Sequence, residues 1–574
     1  MNTVDFEQLK PYAPRTFVPR DMDFHDPDAA VSLFQQLLNR EVNSAQEFEQ
    51  WLKDGSELSA AFDQFGSILY IRMTCHTDNA HYSDEYQAFI QSVLPAVKPL
   101  GDEINRKYLS LNERFPLDPN RYWVMERSLK ADIELYRSEN IPLESELQML
   151  SQQYQNIFGS MTVSFQGQDY TLPQMGKFQY ETDRELREAS WRASVERRQA
   201  EAGQLETLFE KMFALRVQVA RNAGFDNFRD YQFKAYHRFD YSPDHCRRYH
   251  QTVEKLVVPL WRRILERRKE RMGLDHLRPW DLNVDPQGRP PLRPFEQTED
   301  LISGVGNIMG RLDADLAGYF QEMSGLGLLD LESRKAKAPG GYQSALAESR
   351  KPFIFMNAVG LDDDVRTLMH ESGHAFHVFA AADEPIYAYR HAPMEFCEVA
   401  SMSMELLGGE HLDVFYDQDE KVRSIRTHLE NVVHILAWVA TVDAFQQWMY
   451  EHSAHTRAER TAKWNELYSQ FDGGVTDWSG LENYRDNLWH RQLHVFEVPF
   501  YYIEYGIAQL GALQLWLNAS EDLPETLQRY KSALALGGSR PLPELFATAG
   551  LDFDFSERTI EPLILRVAQK LDLA

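Results

Sequence analysis

The stretch Asp362-Asp-Asp-Val-Arg-Thr-Leu-Met-His370-Glu371-Ser-Gly-His374-Ala-Phe-His377 governs how the rest of the chain is read. Three aspartates suit the N-cap and first turn of a helix. Val365, Leu368, Met369, Phe376 and Phe379 supply an apolar face at helical spacing. On such a helix residues four apart differ by about 40° in direction and one turn in height. His370 and His374 therefore point at one spot, with the spacing that two imidazoles need to bind a single zinc ion. Glu371 is rotated by about 100° from His370, which keeps it out of the ligand pair but close enough to reach a water on the metal. In a chain of this length His-Glu-x-x-His arises by chance on the order of a few per cent of the time. Its setting, an amphipathic helix behind an acidic cap, favours a metal site over a structural pair of histidines.

Two histidines leave a catalytic zinc site one protein ligand short. Downstream candidates are Asp383, Glu384, His391, Glu395, Glu398 and Glu405. The run Pro393-Met-Glu-Phe-Cys-Glu398-Val-Ala-Ser-Met-Ser-Met-Glu405-Leu-Leu reads as a second helix, with Pro393 in its first turn and Gly408-Gly409 at its end. Glu398 lies beside Cys397 and Val399-Ala400. An acid in so apolar a setting needs a partner, because burying an unpaired carboxylate costs several kcal/mol or more, roughly. A metal is such a partner, so Glu398 is the first choice for the third ligand and Glu405 the second.

Further out, most of the sequence reads as amphipathic helix, for example Asp183 to Gln218. Trp261 to Met272 carries six basic residues and two glutamates, and is expected to be a solvated face with i,i+4 pairs rather than a binding patch. Strand signals are few. Met161–Phe165 and Tyr170–Leu172 suggest a hairpin around Gly167, and Pro352-Phe-Ile-Phe-Met-Asn357 a strand just before the histidine motif. Gly273 to Pro294, with five prolines, must be a loop. The expected fold is mainly α with a small β-sheet beside the motif helix. An N-terminal mostly helical region, 1–180, would precede a catalytic domain, 181–574.

The 574 residues are 43% hydrophobic and 12% aromatic, ample for a large core and incompatible with wholesale disorder. Net charge is −27, which disfavours nucleic acid and anionic membranes as partners. The longest apolar stretches, such as Ile435–Val442, fall far short of the about 20 residues of a membrane helix. Cys75, Cys246 and Cys397 are odd in number and far apart, which argues against a disulfide framework and for a reducing compartment. No secretory signal is visible at the N-terminus, so a cytoplasmic location is expected.

The sequence resembles the thimet-oligopeptidase and oligoendopeptidase F family of zinc peptidases, especially smaller bacterial members of the Pz-peptidase kind. The resemblance spans roughly residues 180 to 570. It is carried by Asp330-Leu-Glu-Ser-Arg-Lys-Ala-Lys-Ala-Pro-Gly340-Gly341-Tyr342, the Pro352–Asn357 run, the His370 motif, the Glu398 helix, and His494-Val-Phe-Glu-Val-Pro-Phe-Tyr-Tyr502-Ile-Glu-Tyr505-Gly. Ser372 departs from the aromatic or small apolar residue often found there in this family. The resemblance implies a helical shell enclosing a deep substrate channel. It implies one zinc ion held by His370, His374 and Glu398, with Glu371 as general base. It implies that Tyr502, Tyr505 and His494 grip the substrate and its tetrahedral intermediate, the register against Tyr501 being open. Gly340, Gly341, Tyr342, Phe355 and Asn357 resemble elements that hold the peptide backbone. Taken alone, the tyrosines read as core or groove aromatics, and His494, His377, His490 and His391 as structural or supporting groups. A strand at Phe353–Asn357 with a free edge could pair with an extended peptide, and glycines beside it permit close approach.

The activity implied is endopeptidase cleavage of short oligopeptides by a metal-activated water. Its rivals are an exopeptidase of the dipeptidyl carboxypeptidase kind with the same site, and a catalytically silent peptide-binding protein. Glu371 argues against the latter, since a purely structural metal has no use for a base. Oligopeptides are the expected partners.

Overall fold

The computed structural model describes residues 5–338 and 340–573. As expected, the chain is mostly helical with two small sheets. It divides into two compact units, each assembled from three stretches of sequence.

The first unit comprises 1–133, 293–422 and 511–553. Its N-terminal part packs the helices Pro27–Asn39, Ala45–Cys75 and Leu94–Arg114 around Phe48, Trp51, Leu58 and Tyr108. Both of the first two starts are capped by side chains. Asp26 accepts from the Asp28 amide and Ser44 from the Glu47 amide. The second part of this unit holds a three-stranded sheet and the motif helix.

In chain order the five strands of the described residues are β1 (Thr162–Phe165), β2 (Gln168–Thr171), β3 (Leu329–Glu332), β4 (Tyr342–Leu346) and β5 (Lys351–Ala358). The larger sheet has the order β3-β5-β4, β3 running parallel and β4 antiparallel to β5. The continuous apolar run Phe353-Ile-Phe-Met356 fits a strand buried on both faces, and all four side chains are at most 2% exposed. This corrects one expectation. The Phe353–Asn357 strand has no free edge, because β3 and β4 pair both of its sides. The edge near the glycines belongs to β4.

The motif helix, Asp362–Ala380, packs on β4 and β5 and on the helix Met394–Gly409. Its start is held by Asp364, whose carboxylate accepts the amides of Val359 (2.9 Å) and Leu361 (2.8 Å). Among the described residues no helix is long and apolar enough to cross a membrane.

The second unit comprises 134–292, 423–510 and 554–574. Its β1–β2 hairpin turns on Gln166 and Gly167, both at positive φ (51° and 80°), the geometry of a two-residue primed turn. The helix expected over Asp183–Gln218 is two helices, Arg184–Ala200 and Ala202–Asn222, broken at Glu201. The proline-rich loop at Gly273–Pro294 is held in place by Asp281, which is fully buried and accepts from Arg184 (2.9 and 2.8 Å) and Arg187 (3.1 Å). The basic stretch at Trp261–Met272 does not follow the expected i,i+4 pattern. Arg267 and Arg268 instead reach Glu430 at 3.7 and 3.4 Å, and Arg262 the Gly473 carbonyl at 2.8 Å.

Candidate metal centre

His370, His374 and Glu398 converge. One ligand atom from each lies within 4.8 Å of the others. His370 Nε2 stands 3.4 Å and His374 Nε2 3.7 Å from the same Glu398 oxygen, Oε2. Both separations exceed a good N–H···O bond. The first is close to, and the second slightly exceeds, the edge of a tetrahedron around an ion with ligand bonds of about 2.0–2.1 Å, which is about 3.3 Å. The donor set of two imidazoles and one carboxylate is what zinc accepts in sites that keep a position for water. The imidazoles retain 21% and 18% of their side-chain surface, whereas Glu398 retains 8%. The three residues therefore fit a single divalent ion approached from the imidazole side.

The geometry follows from two helices that touch at a glycine. A Cβ on Gly373 would lie 2.5 Å from the Ala400 carbonyl oxygen and from Ser401 Cα, both backbone atoms that cannot yield. Only a residue without a side chain lets the motif helix approach Met394–Gly409 closely enough for Glu398 to meet the histidines. The Ala400 carbonyl is fixed in turn by the Tyr530 hydroxyl at 3.0 Å. Gly373→Ala gains helix propensity but overpacks this contact, which costs about 1–3 kcal/mol. The expected result is a lower melting temperature together with reduced metal content, measured by calorimetry and elemental analysis.

Each candidate ligand has a partner that orients it. Glu405 lies 2.7 Å from His370 Nδ1, the Cys397 backbone hydrogen-bonds His374, and the Ser401 hydroxyl donates to Glu398 Oε2 at 3.0 Å. Glu405, the second choice for the third ligand, thus stands behind His370 rather than beside it. A signal for this was in the sequence, since Glu398 and Glu405 are seven residues and about two turns apart on one helix face. Gly373 and Ser401 were missed, because a small residue betrays nothing until its neighbour is known. Of the other downstream acids, Asp383 accepts from the Tyr12 hydroxyl and Glu384 pairs with Arg121. Ser372, the departure from the family pattern, is fully buried and donates to the Leu368 carbonyl at 2.6 Å.

The electrostatics suit a cation. Burial raises the Glu371 carboxyl to about 7, with Glu398 and Glu405 adding to the effect and His370 opposing it. Burial alone would keep His370 neutral, but bonded Glu405 and the charges of Glu398 and Glu371 lift it to about 9. Burial and the neighbouring His370 press His374 down to about 3. His377 is likewise held neutral, at about 3, by burial and by His374 and His391. A metal ligand must be the neutral imidazole. Between the ordinary histidine range and about 9, His370 is protonated in the metal-free protein, so ion binding expels that proton. Affinity is expected to rise more steeply with pH below about 9 than above it, where His370 is already neutral. Calorimetric titration in buffers of different ionisation enthalpy is expected to read about one proton more released per ion near pH 8 than near pH 10.

The glycine segment belongs to the same unit. Gly340 adopts φ 97°, open to glycine and strained for other residues. Asn357 ties this segment to β5, its amide donating to the carbonyls of Ala338 (2.8 Å) and Gly340 (2.9 Å). Tyr342 stacks on Phe355 at 4.8 Å and its hydroxyl meets Thr74 Oγ1 at 2.6 Å. Phe355 itself is fully buried, so it braces Tyr342 from beneath.

His494, Tyr502 and Tyr505 lie in the second unit and form one cluster. The His494 ring is 4.9 Å from Tyr502 and 5.7 Å from Tyr505, and Tyr502 and Tyr505 are 5.4 Å apart. Tyr501 joins the cluster at 5.5 Å from Tyr505. Burial pushes the Tyr502 hydroxyl up to about 12, whereas Tyr501 and Tyr505 are half-buried. The chain enters this cluster through Phe500, a buried aromatic at φ 69°. That strained conformation is over-determined on both sides. Gln446 accepts the Phe500 amide at 2.6 Å, and Arg238 donates to its carbonyl at 2.7 Å and to Glu504 at 2.6 Å. His490, expected to be structural, bonds Glu206 at 3.0 Å.

The profile of Peptidase family M3 matches residues 177–563, well over half of the chain, and that of the Peptidase M3 N-terminal domain matches residues 20–119. The chain belongs to peptidase family M3. Among M3 relatives, it is 28% identical over 340 residues to Oligopeptidase PepF of Bacillus subtilis, covering 56% of this chain and 48% of that protein. It is 23% identical over 305 residues to an Oligoendopeptidase F homolog of Lactococcus lactis, covering 52% and 49%. The chain thus spans about half the length of the curated relatives it matches. Among solved structures, Pz peptidase A with an inhibitor superposes with a TM-score of 0.88 at 26% identity, covering 97% of this chain and 99% of that one. A structure provisionally assigned to oligoendopeptidase F gives 0.89 at 27%, covering 98% and 99%.

Proposed function

We propose that this family M3 chain is a zinc-dependent endopeptidase that hydrolyses internal bonds of short oligopeptides, with one ion held by His370, His374 and Glu398. The observation that carries the reading is the pair of separations from Glu398 Oε2, 3.4 and 3.7 Å, which suit a shared tetrahedral ion and not hydrogen bonds. Family membership and the names of the relatives support oligopeptides as substrates.

When bound, zinc supplies Lewis acidity that lowers the pKa of water towards about 7 and polarises the scissile carbonyl. Glu371 takes a proton from the attacking water on its carboxylate as the new C–O bond forms. It returns that proton to the amide nitrogen as the C–N bond breaks. Glu405, through His370 Nδ1, and Ser401, through Glu398, keep the ligands aimed. On the family resemblance, Tyr502, Tyr505 and His494 donate to the developing oxyanion, the half-buried Tyr505 being the first choice. Gly340, Gly341 and Tyr342, with the outer edge of β4, receive the extended peptide backbone, and Phe355 and Asn357 hold that segment in shape. The division into residues 1–180 and 181–574 is part of the same proposal, supported by the extents of the two family profiles. Free cysteines at 75, 246 and 397 support a reducing compartment such as the cytoplasm.

The test combines metal analysis with cleavage mapping on peptides of graded length, each prepared with free ends and with both ends blocked. One zinc per chain and internal cuts in the shorter peptides are expected. Release of dipeptides from free C-termini alone would mean an exopeptidase, and full zinc content with no cleavage a peptide-binding protein.

A further inference from the structure

Trp438, Gln492 and His494 form a hydrogen-bonded line within the second unit. The indole Nε1–H of Trp438 donates to Gln492 Oε1 at 2.9 Å, and Gln492 Nε2 lies 2.7 Å from His494 Nδ1. An indole nitrogen can only donate, so the amide oxygen of Gln492 must face it. The amide NH2 then faces His494, and a group that can only donate requires an acceptor. Nδ1 of His494 is therefore the bare nitrogen, and the ring proton sits on Nε2.

We infer that Trp438 and Gln492 are positioning residues that hold His494 as the neutral Nε2–H tautomer, a hydrogen-bond donor to a peptide oxygen. The inference rests on the proposed peptidase reading for what the donor serves, but not for the tautomer itself. Three further observations fit. Trp438 is only 8% exposed, so its indole is fixed as a reference donor. The same indole also hydrogen-bonds the Tyr502 hydroxyl, so one side chain registers two members of the cluster. Tyr501, Tyr502 and Tyr505 stand around the imidazole at 5.7, 4.9 and 5.7 Å, leaving it little freedom to flip.

The arrangement resembles the way an acceptor behind a catalytic histidine sets its tautomer, with the polarity reversed. A carboxylate or carbonyl behind Nδ1 makes Nε2 a base. An amide donor behind Nδ1 makes Nε2 a donor and withholds basicity. Such a histidine is suited to stabilising negative charge on oxygen and unsuited to removing a proton from water, which leaves that role to Glu371.

The test uses the full-length, zinc-loaded chain labelled with 15N-histidine, the His494 signals being assigned by their loss in His494→Asn. In the unaltered protein at neutral pH, Nδ1 is expected to carry the signature of an unprotonated nitrogen and Nε2 that of a protonated one. In Gln492→Glu the new carboxylate accepts from both neighbours, and a proton is expected to appear on Nδ1. Trp438→Phe keeps a ring in place but frees the amide to turn, and is expected to give a mixture of tautomers; it serves if Gln492→Glu does not fold. Peptide cleavage by Gln492→Glu is expected to fall by about 10²–10³ in kcat with KM little changed, as for loss of one oxyanion donor. A protonated Nδ1 in the unaltered protein, or His494 signals unmoved in both variants, overturns the inference. Unimpaired cleavage by His494→Asn with the expected spectra would instead remove His494 from the reaction and leave the tautomer assignment standing.

Discussion

Glu371→Gln is expected to keep its zinc and to lose about 10²–10⁴ of its kcat, the usual contribution of a general base. Gln has the shape of Glu but accepts no proton, and residue 371 is not one of the three converging donors. KM is expected to change little, because the lost interaction belongs to the transition state. Elemental analysis beside steady-state kinetics decides the matter, and undiminished turnover in a metal-loaded variant would sink the mechanism. The same substitution carries a stability signature in the metal-free protein. Burial holds the carboxyl at about 7 in the folded state, above its ordinary range. The folded state therefore binds more protons than the unfolded one between the two values, and stability falls as pH rises through that window. Gln carries no charge to bury. Its melting temperature is expected to exceed that of the unaltered metal-free protein above about pH 7, and the gap to close as pH falls towards the ordinary glutamate range.

Glu398→Ala is expected to weaken zinc binding by more than about 10²-fold, beyond the 10–100-fold that loss of an orienting partner costs. The substitution removes the oxygen that both imidazoles face. The Ser401 hydroxyl, which donates both to Glu398 Oε2 and to the residue 398 carbonyl, keeps only the second of these bonds. Glu405→Gln provides the contrast. It releases His370 Nδ1 from a carboxylate but leaves the donor set intact, so its loss is expected within the 10–100-fold range. Zinc affinities by competition with a chromophoric chelator separate the two. A fully metallated Glu398→Ala protein would shift the third ligand to Glu405 or Glu395.

How much of this was legible in the residues depended on whether the information was local. His370 and His374 are one helical turn apart, so geometry alone aligns them. Glu398 stood out as an acid in an apolar helix, and the structure brings it to both histidines at 3.4 and 3.7 Å. The central strand was visible as an apolar run, but its pairing was not. Which strands flank Phe353–Asn357 depends on β3 and β4, more than ten residues away in one case and across a turn in the other. Gly373 could not be weighed because its partner, the Ala400–Ser401 backbone, lies on another helix. The arginines of Trp261–Met272 misled for a like reason. Their acceptors, Glu430 and the Gly473 carbonyl, are over 150 residues away, whereas the nearer glutamates offered a plausible i,i+4 pattern.

The discontinuous make-up of the two units bears on how the molecule is born. The first begins at the N-terminus yet closes only when residues 511–553 arrive, and the second waits for 554–574. At translation speeds of about 5–20 residues per second, the earliest amphipathic helices emerge tens of seconds, roughly, before their last neighbours exist. The nascent chain carries exposed apolar faces for most of its synthesis, which makes chaperone binding during translation the expected state, and cutting the gene at any single point would yield two fragments that each lack part of a core.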